Sequence, residues 1–340
     1  MGPYGDSTGG PWFTITTTGW IPLSQAGLAS LGMKIPISGL RIGHWTNTAA
    51  RTGCTVMLFP EGTVASGEVR GGAPATREFD LLAPERAVQR LDALVLSGGS
   101  VFGLSAAEGV VSHLADAGLG FPTGGGPVPI VVGLALYDLL EGDGSVRPGA
   151  ADGRAAAEGA MPTIDVGVST GSVGAGTGAT VGTWRGRDHA RPGGVGVGVI
   201  VHGGLTVAAV VAVNAAGDVG DSTTSATVAD GIFGGWPEPH DPFADSAAGG
   251  LGFRSNTTIG AVITDAALNK GECLLMAQSA HDGLARAVFP PHMRSDGDAF
   301  VVAATGSAGG GASAVSETPD LDVLRVLTVA AVERAIVQAC

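Results

Sequence analysis

The sequence predicts an α+β fold in which two mixed sheets pack face to face under a cover of helices, an αββα sandwich. Three observations carry that expectation. Val195–Val201 and Leu205–Val213 flank His202-Gly203-Gly204 and read as a hairpin. Both runs are apolar on each face, so their sheet is covered on both sides. Helical and strand patterns alternate along the chain instead of segregating to one end.

The elements follow in order. Residues 1–37 are Gly/Thr-rich and weakly patterned, and are read as an N-terminal extension that arms a neighbouring subunit; a single domain is expected over residues 38–340. Leu40-Arg41-Ile42-Gly43-His44 leads to a strand at Thr55–Phe59. Leu94–Leu96 is a short apolar strand ending in Ser97-Gly98-Gly99-Ser100. A helix over Val101–Ala117 puts Leu104, Ala107, Val110, Val111 and Leu114 on one face and stops at Gly118. After the hairpin, residues 215–255 are rich in Gly, Ala, Ser and Pro and read as a long loop, a length often tied to function. A core strand then runs to Thr264. A helix from Asn269 to Val288 turns Leu274, Leu275, Ala280, Leu284 and Val288 inward, and a strand follows at Ala299–Ala304. The last helix is expected to start at Thr318-Pro319, a capping residue with Pro at the first helical position.

Composition narrows the function classes. Of 340 residues only 14% are charged and 44% are apolar, with 58 glycines. Exposed surface is scarce for this length, so a homo-oligomer is expected. The net charge of −13 and the lack of a basic stripe argue against a nucleic-acid partner. Cys54, Cys273 and Cys340 form no CxxC pair and no zinc spacing, which fits a reducing compartment. No apolar run reaches ~18 residues and no secretory signal opens the chain, so a cytoplasmic protein without a membrane partner is expected.

The chemistry concentrates at Arg254-Ser255-Asn256-Thr257-Thr258-Ile259-Gly260, where a loop meets a β-branched core strand. The arrangement suits a chain that cuts itself before a hydroxyl residue; a Thr-rich strand start is the plain alternative. Cleavage before Thr257 would free an α-amine with a pKa of about 8 beside the threonine hydroxyl, giving one residue both base and nucleophile. Asn214 ends an apolar strand and is a candidate oxyanion donor, worth roughly 2.7–4 kcal/mol in the transition state, or else a turn residue before Gly217. Asp296 and Asp298 are paired acids that could orient Thr257 or bind a cationic amine, or form a polar Asp-Gly turn. The backbone N–H groups of Ser97, Gly98, Gly99 and Ser100 are candidates for an anion.

No cofactor is expected. Gly174-Ala175-Gly176-Thr177-Gly178-Ala179 matches a dinucleotide fingerprint, but no acidic residue stands ~20 positions on, so close backbone packing is the better reading. The seven histidines are scattered and read as packing or surface residues, with no metal.

Taken together, these segments resemble the L-aminopeptidase/D-esterase and β-peptidyl aminopeptidase family, which includes the nylon-oligomer hydrolases. The matching stretches are Leu40–His44, Arg70-Gly71-Gly72-Ala73-Pro74 with Thr76-Arg77-Glu78, Leu96–Ser100, Tyr137-Asp138-Leu139, Gly174–Ala179, Val213-Asn214-Ala215, Asn256–Gly260, Ala280–Arg286 and Asp296-Gly297-Asp298. They occur in the family's order between residues 38 and 306.

The resemblance implies an N-terminal-nucleophile-hydrolase-like αββα sandwich that cleaves itself into residues 1–256 and 257–340. Carried over, cleavage falls between Asn256 and Thr257. Thr257 is then the nucleophile, Asn214 and Tyr137 the oxyanion and transition-state partners, and Asp296 and Asp298 the acidic supports. It further implies a homotetramer or larger assembly and a short peptide or oligoamide substrate. Asn-Thr at the scissile bond resembles the nylon-oligomer branch. Where that branch carries a lysine, this chain aligns Thr183, with Arg185 or Arg187 as candidate substitutes. An acyltransferase on a similar fold and a poorly processed, non-catalytic member are the alternative readings.

Overall fold

The structure, a computed structural model, describes residues 32–220, 256–309 and 320–340. Most of the N-terminal extension, most of the long loop and the Thr318-Pro319 helix start lie outside the described residues.

Two sheets form the centre. The first has strands β1 (Arg41–Asn47), β2 (Thr52–Leu58), β4 (Ala75–Arg77), β5 (Ala93–Ser97), β6 (Val131–Ala135) and β7 (Met161–Pro162), in the order β4-β6-β5-β2-β1-β7. The second has β3 (Val64–Val69), β8 (Gly194–His202), β9 (Leu205–Asn214), β10 (Thr257–Thr264) and β11 (Ala299–Ala304), in the order β8-β9-β10-β11-β3. Each sheet contains one parallel pair, β5 with β6 and β10 with β11, and in each case a helix lies between the two strands in sequence. That is the connection a parallel pair needs.

Helices α1 (Ala106–Asp116) and α2 (Ala150–Glu158) cover the outer face of the first sheet, with Cys54, Val56, Val95, Ala107, Val110 and Ala157 buried together. Helices α3 (Lys270–Ala287) and α4 (Leu321–Gln338) cover the second, over Val211, Val262, Met276, Leu284, Val302 and Val332. Between the sheets lie Met57, Leu94, Leu134, Val197, Val210, Ile259 and Val301. Four layers therefore give three apolar interfaces, and β9, flanked by a strand on each side, is buried along nearly its whole length. Ile35 and Ile37, assigned above to the extension, are fully buried in the central interface.

The hairpin forms as expected: β8 and β9 pair antiparallel from Gly194↔Val213 to His202↔Leu205. The turn residues Gly203 and Gly204 have φ of 58° and 81°, the sense that a two-residue hairpin turn requires. Several expectations are corrected. Residues 41–47 are themselves a strand, paired with β2, and do not merely lead to one. Ser100–Ser105 is a 3-10 turn before α1 begins at Ala106. On α3 the inward face is Cys273, Met276, Ala277, Ala280, Leu284 and Ala287, while Leu275 is exposed. Asp320 caps α4, its side chain accepting the Asp322 N–H at 2.9 Å.

The alternating glycines of β8 explain how α4 sits so close. A β-carbon at Gly196 would lie 1.8 Å from the Ala335 carbonyl oxygen, and one at Gly198 2.1 Å from that of Ala331. Both obstacles are backbone, which cannot swing aside. Gly196→Ala is therefore expected to cost about 1–3 kcal/mol or more by forcing strand and helix apart. The check is denaturant unfolding, in which the midpoint falls while the m-value stays unchanged.

Candidate active site

The register of the second sheet brings the candidate residues together. β9 and β10 pair antiparallel with Asn214 opposite Thr257, so both side chains leave the same face of the sheet at the end of the strand pair. Asn256 lies beside Asp296 in a parallel bridge just before β11, which aligns the two segments that carry the hydroxyl and the acids. All of Asn214, Asn256, Thr257, Asp296 and Asp298 are buried.

Thr257 faces its own preceding peptide. Its Oγ1 donates to the Asn256 carbonyl oxygen at 2.5 Å, and the Gly297 N–H donates to the same oxygen at 3.0 Å. Gly297 also closes over the hydroxyl: a β-carbon there would lie 2.9 Å from Thr257 Oγ1 and 2.8 Å from the Ala73 carbonyl oxygen. The acids are held by the Arg70–Pro74 segment, where the Arg70 and Gly71 N–H groups donate to the Asp298 carbonyl and the Ala73 N–H to that of Asp296. Hydroxyl, carbonyl and an N–H donor are thus assembled around one peptide bond.

The two carboxyls differ in surroundings. Asp298 accepts the Thr258 N–H at 2.8 Å on Oδ1, and on Oδ2 the N–H and ring Nδ1 of His292 at 3.2 and 2.8 Å. Asp296 accepts the Met293 N–H at 2.9 Å on Oδ2, while its buried Oδ1 has no partner among the described residues. Burial first, and the neighbouring Asp298 charge second, push Asp296 up to about 8; the Met293 and Ala216 N–H groups pull weakly the other way. Asp296 is therefore the carboxyl of the pair that burial makes the stronger proton holder.

That proton has a stability signature. The unfolded carboxyl titrates near 3.9, so between about pH 4 and 8 the native state binds a proton that the unfolded state has lost. The contribution of this residue is thus fully favourable below the lower value and is lost as pH rises through the higher one. In an uncut Thr257→Ala background, adding Asp296→Asn is expected to gain stability relative to its parent as pH rises from 4 to 9. The gain is on the order of a few kcal/mol at about 1.4 per pK unit. Denaturant midpoints across that range check it; a pH-independent difference contradicts it.

Other expected residues fall into place differently. The Asn214 Oδ1 accepts the Thr180 N–H at 2.8 Å and its Nδ2 donates to the Tyr137 carbonyl at 2.9 Å. Tyr137 thus meets the site through its main chain, in a hydrogen bond that fixes the Asn214 amide. The Gly174–Ala179 run is close backbone packing: a β-carbon at Gly176 would lie 2.3 Å from the Val195 nitrogen. Thr183 donates its hydroxyl to Asn256 Oδ1 at 2.8 Å, so the position aligned with a lysine does reach Asn256. Arg187 instead pairs with Glu141 at 2.5 Å, and the Arg185 side chain lies outside the described residues.

The Ser97–Ser100 segment corrects an expectation. Its N–H groups do meet an anion, but an internal one: Gly99 donates to the Asp138 carboxylate at 2.7 Å. Gly98 and Ser100 donate to the Gly53 and Leu136 carbonyls at 2.8 Å each. No N–H of these three is left for a substrate anion.

Alternative nucleophiles and metal ligands are poorly placed. Burial pushes the Cys54 and Cys273 thiols up to about 12, so neither is a thiolate at neutral pH. Burial holds His44 and His281 down to about 4 and about 3. Among the described residues, no group of three His, Cys, Asp or Glu side chains is arranged to hold a metal. Sequence reasoning missed Gly297 and His292. Both stand in the stretch that was singled out for its two acids, but main-chain donation and a glycine's contact with a hydroxyl leave no pattern in sequence.

The model of peptidase family S58 matches residues 35–340. An uncharacterized aminopeptidase of Mycobacterium leprae is 40% identical over 289 residues, covering 80% of this chain and 78% of the relative. A 6-aminohexanoate-oligomer endohydrolase of Kocuria sp. is 28% identical over 293 residues, covering 84% and 78%. The structure also superposes on the L-aminopeptidase D-Ala-esterase/amidase of Ochrobactrum anthropi, a variant of the Ntn hydrolase fold. The TM-score is 0.62 at 20% identity, over 91% of this chain and 87% of the other, a likeness of fold.

Proposed function

Because the chain belongs to peptidase family S58 and is a hydrolase of amide bonds, we propose that it cuts itself between Asn256 and Thr257 and then uses Thr257 as an N-terminal nucleophile. One observation carries the reading: the Thr257 hydroxyl and the Gly297 N–H converge on the Asn256 carbonyl oxygen.

In the self-cleavage step Oγ1 attacks the Asn256 carbonyl carbon and releases its proton to the acid pair. Negative charge gathers on the carbonyl oxygen under the Gly297 N–H, an oxyanion donor supplied by the main chain. The C–N bond breaks as the Thr257 nitrogen takes the proton held on Asp296. Water then hydrolyses the ester, leaving a carboxylate on Asn256 and a free amine and hydroxyl on Thr257. Thr183, in hydrogen bond with Asn256 Oδ1, holds the departing residue.

In turnover the neutral amine of Thr257, with an ordinary pKa of about 8, takes the Oγ1 proton as the hydroxyl attacks the substrate amide. The leaving amine carries that proton away, and water releases the acyl group from the threonine ester. Asn214 sits across the strand pair from Thr257, its amide oriented by Tyr137 and Thr180, as a donor to the substrate oxyanion.

The substrates are short peptides or oligoamides, the classes named for the relatives. The test is product analysis with short peptides and with 6-aminohexanoate oligomers. Free amines should appear, with all turnover in the cut form; equal turnover by an uncut chain contradicts the reading.

A further inference from the structure

We propose that His292 is a positioning residue for the acid pair: its ring and main-chain N–H groups both hold Asp298 Oδ2, and so set which carboxyl of the pair carries the proton. The proposal rests on the self-cleavage reading above and assigns a residue that it left unused.

The asymmetry of hydrogen bonds is the first argument. Two buried carboxyls side by side cannot both ionise freely, and they titrate as a pair. The member with more donors keeps the charge. Asp298 has three: the N–H of Thr258, the N–H of His292 and the His292 ring. Asp296 has the Met293 N–H and a weaker influence from the Ala216 N–H, and its Oδ1 has no partner among the described residues. Two of the three donors to Asp298 belong to His292.

The tautomer follows from the surroundings. Nδ1 faces a carboxylate oxygen at 2.8 Å, so it carries the proton. Nε2 is buried, without a partner among the described residues. A protonated ring would bury an unpaired N–H, whereas the neutral Nδ1–H form buries only a lone pair. From α3, His281 meets the ring edge-on at 4.9 Å between centroids and is itself held neutral by burial. From β3, Glu68 accepts His281 Nε2 on its carbonyl, while Arg70 is paired with Glu68 and with Asp282 of α3. On its own loop the ring is joined to Asp298, and Asp296 stands four residues on. Among the described residues Arg70 is paired away and Arg294 of the same loop is exposed, so the ring acts on Asp298 through its hydrogen bond.

The backbone completes the case. His292 has φ of 51°, in the left-handed region uncommon for a residue other than glycine. In that conformation its main-chain N–H and its ring reach one oxygen of the same carboxylate. Asparagine tolerates this conformation and offers an amide donor near the Nδ1 position, which makes it the informative replacement.

The experiment follows self-cleavage of the freshly translated full chain from pH 5 to 9 for the parent, His292→Leu and His292→Asn. The leucine variant should cleave about tenfold or more slowly, with its pH profile moved upward as Asp298 competes for the proton. The asparagine variant should restore both rate and profile. Slowing by equal factors at every pH, or no slowing, overturns the proposal while leaving self-cleavage intact. A parent that never cleaves removes the underlying reaction, and both readings fall together. Should the leucine variant not fold, nitrogen-15 NMR of the uncut Thr257→Ala chain decides: a His292 ring protonated on Nδ1 alone supports the proposal, and one protonated on Nε2 overturns it.

Discussion

Thr257→Ala should yield a single, folded, uncut chain of 340 residues without measurable amidase activity. The argument is local. Thr257 is buried at the first position of β10, with Asn214 opposite it and the Asp296–Asp298 turn against it. Alanine keeps the β-carbon and the strand pairing, so the fold survives. What disappears is Oγ1, the atom in hydrogen bond with the Asn256 carbonyl. Without it neither the ester intermediate nor the free amine can form, and both events are lost together. Losses on the order of 10⁶ accompany removal of a nucleophile from a hydrolase. Thr257→Ser, which keeps the hydroxyl, should still cleave. A gel showing two chains from the alanine variant would refute the assignment.

Gly297→Ala should be nearly as damaging without touching any reacting side chain. The added methyl would lie 2.9 Å from Thr257 Oγ1 and 2.8 Å from the Ala73 carbonyl oxygen. The Ala73 side of that contact is backbone, tied by its own N–H to the Asp296 carbonyl. Relief must come from displacing the hydroxyl or shifting the Gly297 N–H off the Asn256 carbonyl. Loss of one oxyanion donor typically costs 10²–10³ in rate, and misplacing the nucleophile adds to that. Self-cleavage should slow by at least about a hundredfold, read from the time course of the full-length band. A rate unchanged within a few-fold would show that this N–H does not serve the reaction.

Much of this arrangement could be read from residues alone, and the reasons differ by element. The β8–β9 hairpin was legible because two apolar runs flank a Gly-Gly turn. β10 and β11 were legible because β-branched runs ended in polar residues, and their limits fall as expected. β1 was not read as a strand, since Gly43, His44 and Thr46 interrupt its apolar pattern; its pairing with β2 is tertiary. Leu275 looked inward because the stripe was drawn one residue off, and the packed face turns on small residues such as Ala277 and Ala280.

The site divides in the same way. Thr257, Asn214 and Asp298 stood out as polar residues at the ends of core strands. Their main-chain partners did not, because every residue but proline carries an N–H and only the fold decides which one is aimed. Tyr137 was expected from the resemblance as a transition-state partner, and its carbonyl accepts the Asn214 amide. Ser97–Ser100 was read as a site for a substrate anion, but the Gly99 N–H is taken by the Asp138 side chain and its neighbours by main-chain carbonyls.

The most direct measurement is the intact mass and N-terminal sequence of the purified, active protein. Two chains, residues 1–256 and 257–340, the second beginning Thr-Thr-Ile, are the expected result. Full activity in a preparation that contains only the unbroken chain would contradict it.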